Sequence, residues 1–247
     1  MTDRRFHWAN AHVAHQSLED RVEAPVFTTG TTTTCTRPVV DLRASPDGAR
    51  DKQLLFGQAF CALDSRDGWT FGYDPVDGYC GYVRDAVLGL HVEPTHRVTA
   101  RSTHLYQAAD IKSREIAALS FGARLTVVDT QGRFAALADG SFVPAMHISP
   151  VATQSTDIAL TAEAFLGTPY LWGGNSGFGI DCSGLVQLAL HAAGRTCPRD
   201  SDLQAREWQD VGNRPLARGD LVFWDGHVGL LLDANTLIHA NAHHMAV

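Results

Sequence analysis

Two kinds of apolar spacing divide the chain. From Thr36 to about Val92, short runs alternate between apolar and polar residues and are broken by turn signals. VVDLR (39–43) alternates and runs into the SPDG turn. LLFGQAFCAL (54–63) reads as a pair of strands. One Asp-Gly step precedes the aromatic strand WTFGY (69–73), and a second lies in DPVDGYCGYV (74–83). Residues 94–150 repeat this order: a Val-and-Arg strand, a polar excursion, a glycine before a strand, a glycine turn with an aromatic. The phrase Gly81-Tyr82-Val83 returns as Ser141-Phe142-Val143. The pattern predicts a duplicated β unit of about 55 residues, each copy a small barrel.

After a linker from Pro150 to Asp157, the period changes. TDIALTAEAFLG (156–167) has helical spacing at Ile158, Ala162, Phe165 and Leu166 and stops at Gly167. A loop rich in glycine and aromatics follows, TPYLWGGNSGFGI (168–180). DCSGLVQLALHAAG (181–194) predicts a second helix with Leu185, Ala189 and Ala192 on one face. DLVFW, HVGLLLD and TLIHANA predict three successive strands. The expected fold class is therefore α+β. The expected organisation is an extension over 1–25, helical around Leu18 to Val22, then β domains over 26–93 and 94–150 and an α+β domain over 151–247.

Composition narrows the function classes. The 247 residues are 45% hydrophobic and carry a formal charge of −7, with no basic cluster. Nucleic acid and anionic membranes are poor partners for such a surface. No apolar run reaches the roughly 18 residues of a membrane span, so no membrane insertion is expected. The first 25 residues hold no apolar stretch of signal-peptide type, which predicts a cytoplasmic location. Cysteines 35, 61, 80, 182 and 197 form no CxxC pair, so free thiols are expected.

Cys182 stands apart, because it opens a predicted helix. Unpaired N–H groups and partial positive charge at a helix start favour a thiolate, and can receive an oxyanion. A nucleophilic thiol needs a base, and the base needs an orienting partner. His227 and His239 lie on adjoining predicted strands. A three-residue loop at 233–235 would bring both to one face, two residues out of register, about 7 Å along the strand. His227 would then take the thiol proton and His239 would hold its ring. His239 with His243 and His244 follows no zinc spacing, so neither a metal nor another cofactor is expected.

TPYLWGG, DCSGL, RGDLVFW, HVGLLL and LIHANA, in that order, resemble the NlpC-type family of papain-like cell-wall peptidases over roughly residues 155–247. The β segments before them resemble tandem bacterial SH3-like domains, as in a subgroup of γ-D-glutamyl-L-diamino-acid endopeptidases. The resemblance implies two small SH3-like barrels followed by a papain-like catalytic domain. It makes Cys182 the nucleophile, His227 the base, His239 the third member and Tyr170 an oxyanion donor. The implied substrates are peptidoglycan stem peptides of the L-Ala-γ-D-Glu-diamino acid type with a free N-terminal amine, as in murein peptide recycling. Asp181 and Tyr79 would bind that amine. Ser183 and the Arg199-Asp200-Ser201 phrase would line the cleft. The NAHHMAV end comes eight residues after His239, shorter than the family's usual continuation, so a truncated domain or an unusual terminus is expected.

Blander roles compete for several of these residues. Asp181 serves equally as a helix cap. Tyr79 can be barrel packing, and Asp200 and Ser201 can cap the next helix. A wall-binding protein with weakened or lost catalysis, or a cysteine amidase or acyltransferase, would use the same residues.

Overall fold

The computed structural model describes residues 3–247. The fold is α+β and divides into two units, one ending at Glu93 and the other spanning Pro94–Val247.

In the first unit, seven antiparallel strands are ordered Arg50–Leu55, Val39–Arg43, Cys80–Arg84, Trp69–Tyr73, Ala59–Arg66, Thr31–Cys35 and Leu88–Leu90. Alternation along them sends Val40, Leu42, Leu54, Phe60 and Val83 into one core. The expected extension packs onto this barrel. Ala14–His15 pairs in parallel with Phe27–Thr28. Trp8 stacks on Tyr73 at 4.1 Å and donates its indole N–H to the Gly78 carbonyl. The helix expected near Leu18 is only a 3-10 turn, Gln16–Leu18.

The duplication appears as one strand order used twice. In the second unit the order is Glu115–Ser120, Ser102–Tyr106, Phe142–Pro144, Phe134–Leu137 and Val127–Gln131, with Arg124–Leu125, His96–Val98 and Ile148–Pro150 forming a companion sheet. Leu42 pairs with Lys52, and the register shifts at Arg43; Leu105 pairs with Ala117, and the register shifts at Tyr106. Arg43 also faces Tyr82, as Tyr106 faces Phe142. The match of Gly-Tyr-Val with Ser-Phe-Val is thus a match of place. The strand continuous over Ala59–Arg66 is interrupted at Thr126 in the second copy.

The second barrel and the α+β part lie in the same unit. Here α1 is Ile158–Glu163, α2 is Cys182–Ala192 and α3 is Ser201–Glu207. Asp157 caps α1 by accepting the Ala159 and Leu160 N–H groups. The predicted apolar stripe of α2 is wider than expected: every residue of the helix except His191 is buried. A helix wrapped this way is a central element rather than a surface one. One side meets Phe165 of the α1 segment, another Val228, Leu230 and Ile238 of the strands. The second barrel closes its far end, where Arg97 donates to the carbonyls of Ala192 and His191. Cationic groups at a helix C-terminus satisfy carbonyls that the helix leaves open. Phe121 meets Phe165 edge-on at 5.5 Å, and Ser120 Oγ accepts the Gly177 N–H.

The last strands form a meander of Leu221–Trp224, His227–Leu231 and Leu237–Ile238. The turn between the second and third is held by Leu232 N–H to Thr236 O, leaving residues 233–235 as the loop. Asp233 Oδ1 accepts from the N–H groups of Asn235 and Thr236. Beyond His239 the chain turns, bridges Asn241 to Ala246, and lays Met245–Val247 along residues 167–170.

Candidate active site

Leu230 pairs with Ile238 and Leu231 with Leu237. Counting on, Gly229 lies opposite His239, and His227 stands two residues away on the same face. The three-residue loop therefore produces the predicted offset. The imidazoles close it: His227 Nε2 lies 2.8 Å from His239 Nδ1, with the rings at 88°. Trp224, the cross-strand partner of His227, covers that ring at 4.7 Å.

α2 delivers Cys182 to the start of the His227 strand. The backbone N–H groups of Val228 and Ser183 bond to its sulfur. The helix start was expected to lower the thiol pKa, but the balance falls the other way. Burial pushes the Cys182 thiol up, and the Asp181 carboxylate adds to the rise. The two N–H groups and Arg199 pull against them. His227 is held below the ordinary imidazole value by burial and by His239, with Asp181 opposing. His239 is lowered by burial and by His244. At neutral pH the resting site is thus a thiol beside neutral imidazoles, not a preformed ion pair. A nucleophile in this state would have to lose its proton as it attacks.

Asp181 caps α2, its Oδ1 accepting the Gly184 N–H at 2.8 Å. Oδ2 accepts from the Gly173 N–H at 2.8 Å and from Arg199 Nη2 at 2.8 Å. Ser183 Oγ donates to Oδ1 at a longer 3.3 Å. Four donors match the roughly four lone-pair sites of a carboxylate. Arg199, fully buried, also donates to Ser183 Oγ and to the Gly174 carbonyl. One guanidinium thus braces the cap, the residue after Cys182 and the glycine loop. The Arg199-Asp200-Ser201 phrase was expected at the cleft, but the bracing role of the buried Arg199 guanidinium was not. The glycines fit the same crowding: a Cβ on Gly174 would sit 2.5 Å from the Gly179 carbonyl, and one on Gly184 2.5 Å from the Gly174 carbonyl.

Tyr170 enters this cluster from the loop. Its backbone bridges Ile180 and donates to the Met245 carbonyl. Burial raises its phenol to about 12, with the Asp181 and Cys182 charges adding. The hydroxyl therefore remains a proton donor across the physiological range. Asp200 caps α3 through its carbonyl, which accepts from Leu203 and Gln204, and Ser201 opens that helix. Gln204, wholly buried, ties α3 to the Ser183 carbonyl.

Tyr79 belongs to the first unit and is 2% exposed. Its ring packs in the barrel core and lies 5.9 Å from Lys52 Nζ. That ammonium is itself buried between Asp74 and Asp77, at 2.8 and 2.6 Å. The remaining cysteines are free and buried. Burial lifts Cys35 to about 11 and Cys80 to about 12.

Comparisons with known proteins agree with this arrangement. Residues 167–247 match the NlpC/P60 family, and residues 42–88 match the bacterial dipeptidyl-peptidase SH3 domain. Over 216 residues the chain is 28% identical to the gamma-D-glutamyl-L-lysine dipeptidyl-peptidase of Bacillus subtilis, covering 78% of this chain and 73% of that one. The Bacillus cereus protein of the same name is 29% identical over 224 residues, covering 77% and 67%. A crystal structure of an NlpC/P60 family protein from Bacillus cereus superposes with a TM-score of 0.76 at 22% identity, covering 88% of this chain and 93% of that one, and shows the same fold. The chain thus carries an NlpC/P60 cysteine peptidase domain behind a bacterial dipeptidyl-peptidase SH3 domain.

Proposed function

We propose that this cell-wall peptidase hydrolyses the γ-D-glutamyl-L-diamino acid bond of stem peptides that carry a free N-terminal L-alanine. The observation that carries the chemistry is the His227–His239 pair beside the helix-start cysteine. The relatives named gamma-D-glutamyl-L-lysine dipeptidyl-peptidases support the bond and the dipeptide-releasing mode. Cys182 attacks the γ-carbonyl of D-glutamate as His227 takes the thiol proton at Nδ1, the nitrogen not engaged with His239. The α2 start and the Tyr170 hydroxyl receive the oxyanion. His227 then gives its proton to the leaving amine of the diamino acid, and water, activated in turn by His227, cleaves the thioester.

Asp181 binds the substrate's ammonium. An incoming ammonium takes the Oδ1 position that Ser183 holds at 3.3 Å, the longest of the four contacts to that carboxylate. Asp200 and Ser201 border the cleft beside Ser183. Stems still attached to glycan have that amine blocked as an amide. The requirement therefore suits a cytoplasmic enzyme that recycles released peptides.

L-Ala-γ-D-Glu-diaminopimelate, offered free and N-acetylated, tests the reading. Cleavage of the free peptide only is expected, and none by Cys182→Ala. Equal cleavage of both peptides removes the amine requirement, and unchanged cleavage by Cys182→Ala removes the catalytic assignment. The lowered imidazoles also fix the acid limb of kcat/KM. Activity should persist as pH drops past 6.5, the ordinary histidine value, and fall only at lower pH. A midpoint above 6.5 would contradict the neutral resting pair.

A further inference from the structure

The histidine pair continues to a third polar group, Asn241, to which no role has been given above. Its Nδ2 lies 3.3 Å from His239 Nε2. Its Oδ1 accepts the backbone N–H of His244 at 2.8 Å. The second contact orients the amide, because a backbone N–H can only donate and so must face the oxygen. The NH2 group is thereby turned to His239. An NH2 group can only donate as well, so His239 Nε2 has to be the acceptor. In a neutral ring the proton then sits on Nδ1. That proton points at His227 Nε2, 2.8 Å away, which must accept it. The neutral His227 ring is left with its own proton on Nδ1.

We propose that Asn241 is a positioning residue that sets the tautomers of both histidines, and that its amide, as held by His244, keeps His227 protonated on the nitrogen needed to receive the thiol proton. The inference rests on the catalytic reading above. It adds a resting state in which that reading cannot yet operate. Competence requires the Asn241 amide to turn over and present Oδ1 to His239, giving up the His244 N–H. The His239 proton then moves from Nδ1 to Nε2, and the His227 proton likewise, by exchange with water and with no net gain of protons. His239 Nδ1 now accepts from His227 Nε2–H, and His227 Nδ1 carries a free lone pair. The turn that would have to yield is short, residues 241–246, and lays the following Met245 carbonyl on the Tyr170 N–H. The oxyanion side and the base side of the site are therefore joined through the same few residues. The groups that bear on the pair are Asp181 for His227 and His244 for His239.

Two-bond 1H–15N correlation spectra of histidine-labelled full-length protein at pH 8, where both rings are neutral, read the tautomers directly. Wild type should show Nδ1–H on both His227 and His239, assigned with His227→Gln and His239→Gln. Asn241→Asp keeps an oxygen for the His244 N–H and presents an acceptor to His239, so both rings should switch to Nε2–H. Iodoacetamide should then alkylate Cys182 about tenfold faster at pH 8 or more, since a base in the wrong tautomer forfeits most of its effect. Asn241→Ala should also accelerate alkylation, without imposing one tautomer. An Nε2–H on His239 in wild type, tautomers unchanged in Asn241→Asp, or alkylation no faster in both variants would overturn the proposal. If the tautomers switch as expected but no variant cleaves the γ-D-glutamyl peptide, the functional reading fails and the role of Asn241 stands.

Discussion

The two barrels share a strand order and a register shift at the same place, yet they fill one position in opposite ways. Lys52 in the first occupies the place of Ala117 in the second, each paired with a leucine just before the shift. The hairpin facing that position differs in step. Eight residues separate Gly72 from its partner Gly81. Only three separate Leu137 from Ser141, which follows from the pairing of Ala136 with Phe142. The five extra residues bring Asp74 and Asp77 over Lys52 and deliver Tyr79 into the core. In the second barrel the short turn needs only Asp139, whose carboxylate bonds the N–H and hydroxyl of Ser141. A duplicated scaffold was thus differentiated by one coupled change, a buried cation together with the acidic loop that neutralises it. Neither half is tolerable alone, since a buried charge without its partner is expensive.

That coupling can be broken directly. Lys52→Ala gives the first barrel the residue of the second while keeping the acidic loop. It should cost about 3–5 kcal/mol in urea unfolding, the usual effect of stranding buried charge. A loss below about 1 kcal/mol would mean the cluster is not a buried pair in solution. Acid should relieve the defect. Burial raises the Asp74 carboxyl above its usual 3.8, so the folded chain binds its proton first, and stability falls as pH climbs through that window. Lys52 is raised, so in wild type its contribution is intact below 10.5 and lost only as pH climbs past its folded value. The Lys52→Ala deficit should therefore shrink towards pH 4, and a deficit independent of pH would point to lost packing instead.

Arg97→Ala tests how the second barrel serves the active site. It uncovers the last carbonyls of α2, at roughly 1–3 kcal/mol, and should lower peptide hydrolysis because the same helix begins with Cys182. Unchanged activity at full stability would show that the helix does not need this clamp. The smallest effect is expected for Asp139→Ala, about 0.5–1 kcal/mol from one exposed turn, with hydrolysis unaltered. A loss as large as that of Lys52→Ala would erase the distinction between the hairpins.

The features readable from sequence were those carried by local chemistry. Asp233 and the count of residues between His227 and His239 determine the hairpin offset, and the Asp-Gly steps mark turns in the first barrel. A small residue before an aromatic and a valine, Gly81-Tyr82-Val83 and Ser141-Phe142-Val143, was enough to align the two copies. What escaped depended on residues meeting across long separations. The phrase around Arg199 pointed to the cleft, but not to the convergence of Asp181, Ser183 and Gly174 on its guanidinium. The raised Cys182 thiol follows from burial of the whole of α2, which its stripe of Leu185, Ala189 and Ala192 understates. Trp8 and Val13 gave no periodic signal because they pack as single residues on a finished barrel rather than as an element of their own.

The crowding of the glycine loop bears on how such an enzyme can diversify. Added side chains at Gly174 and Gly184 would strike main-chain oxygens at 2.5 Å, and one at Gly177 would strike the Arg101 carbonyl. Backbone cannot step aside as a flexible side chain can, so a single substitution there forces the main chain to shift before it alters selectivity. This wall of the cleft is closed to stepwise adaptation. New substrate preferences must arise on the opposite side, at the start of α3 or along the hairpin tips, where a mutation meets solvent before it meets main chain.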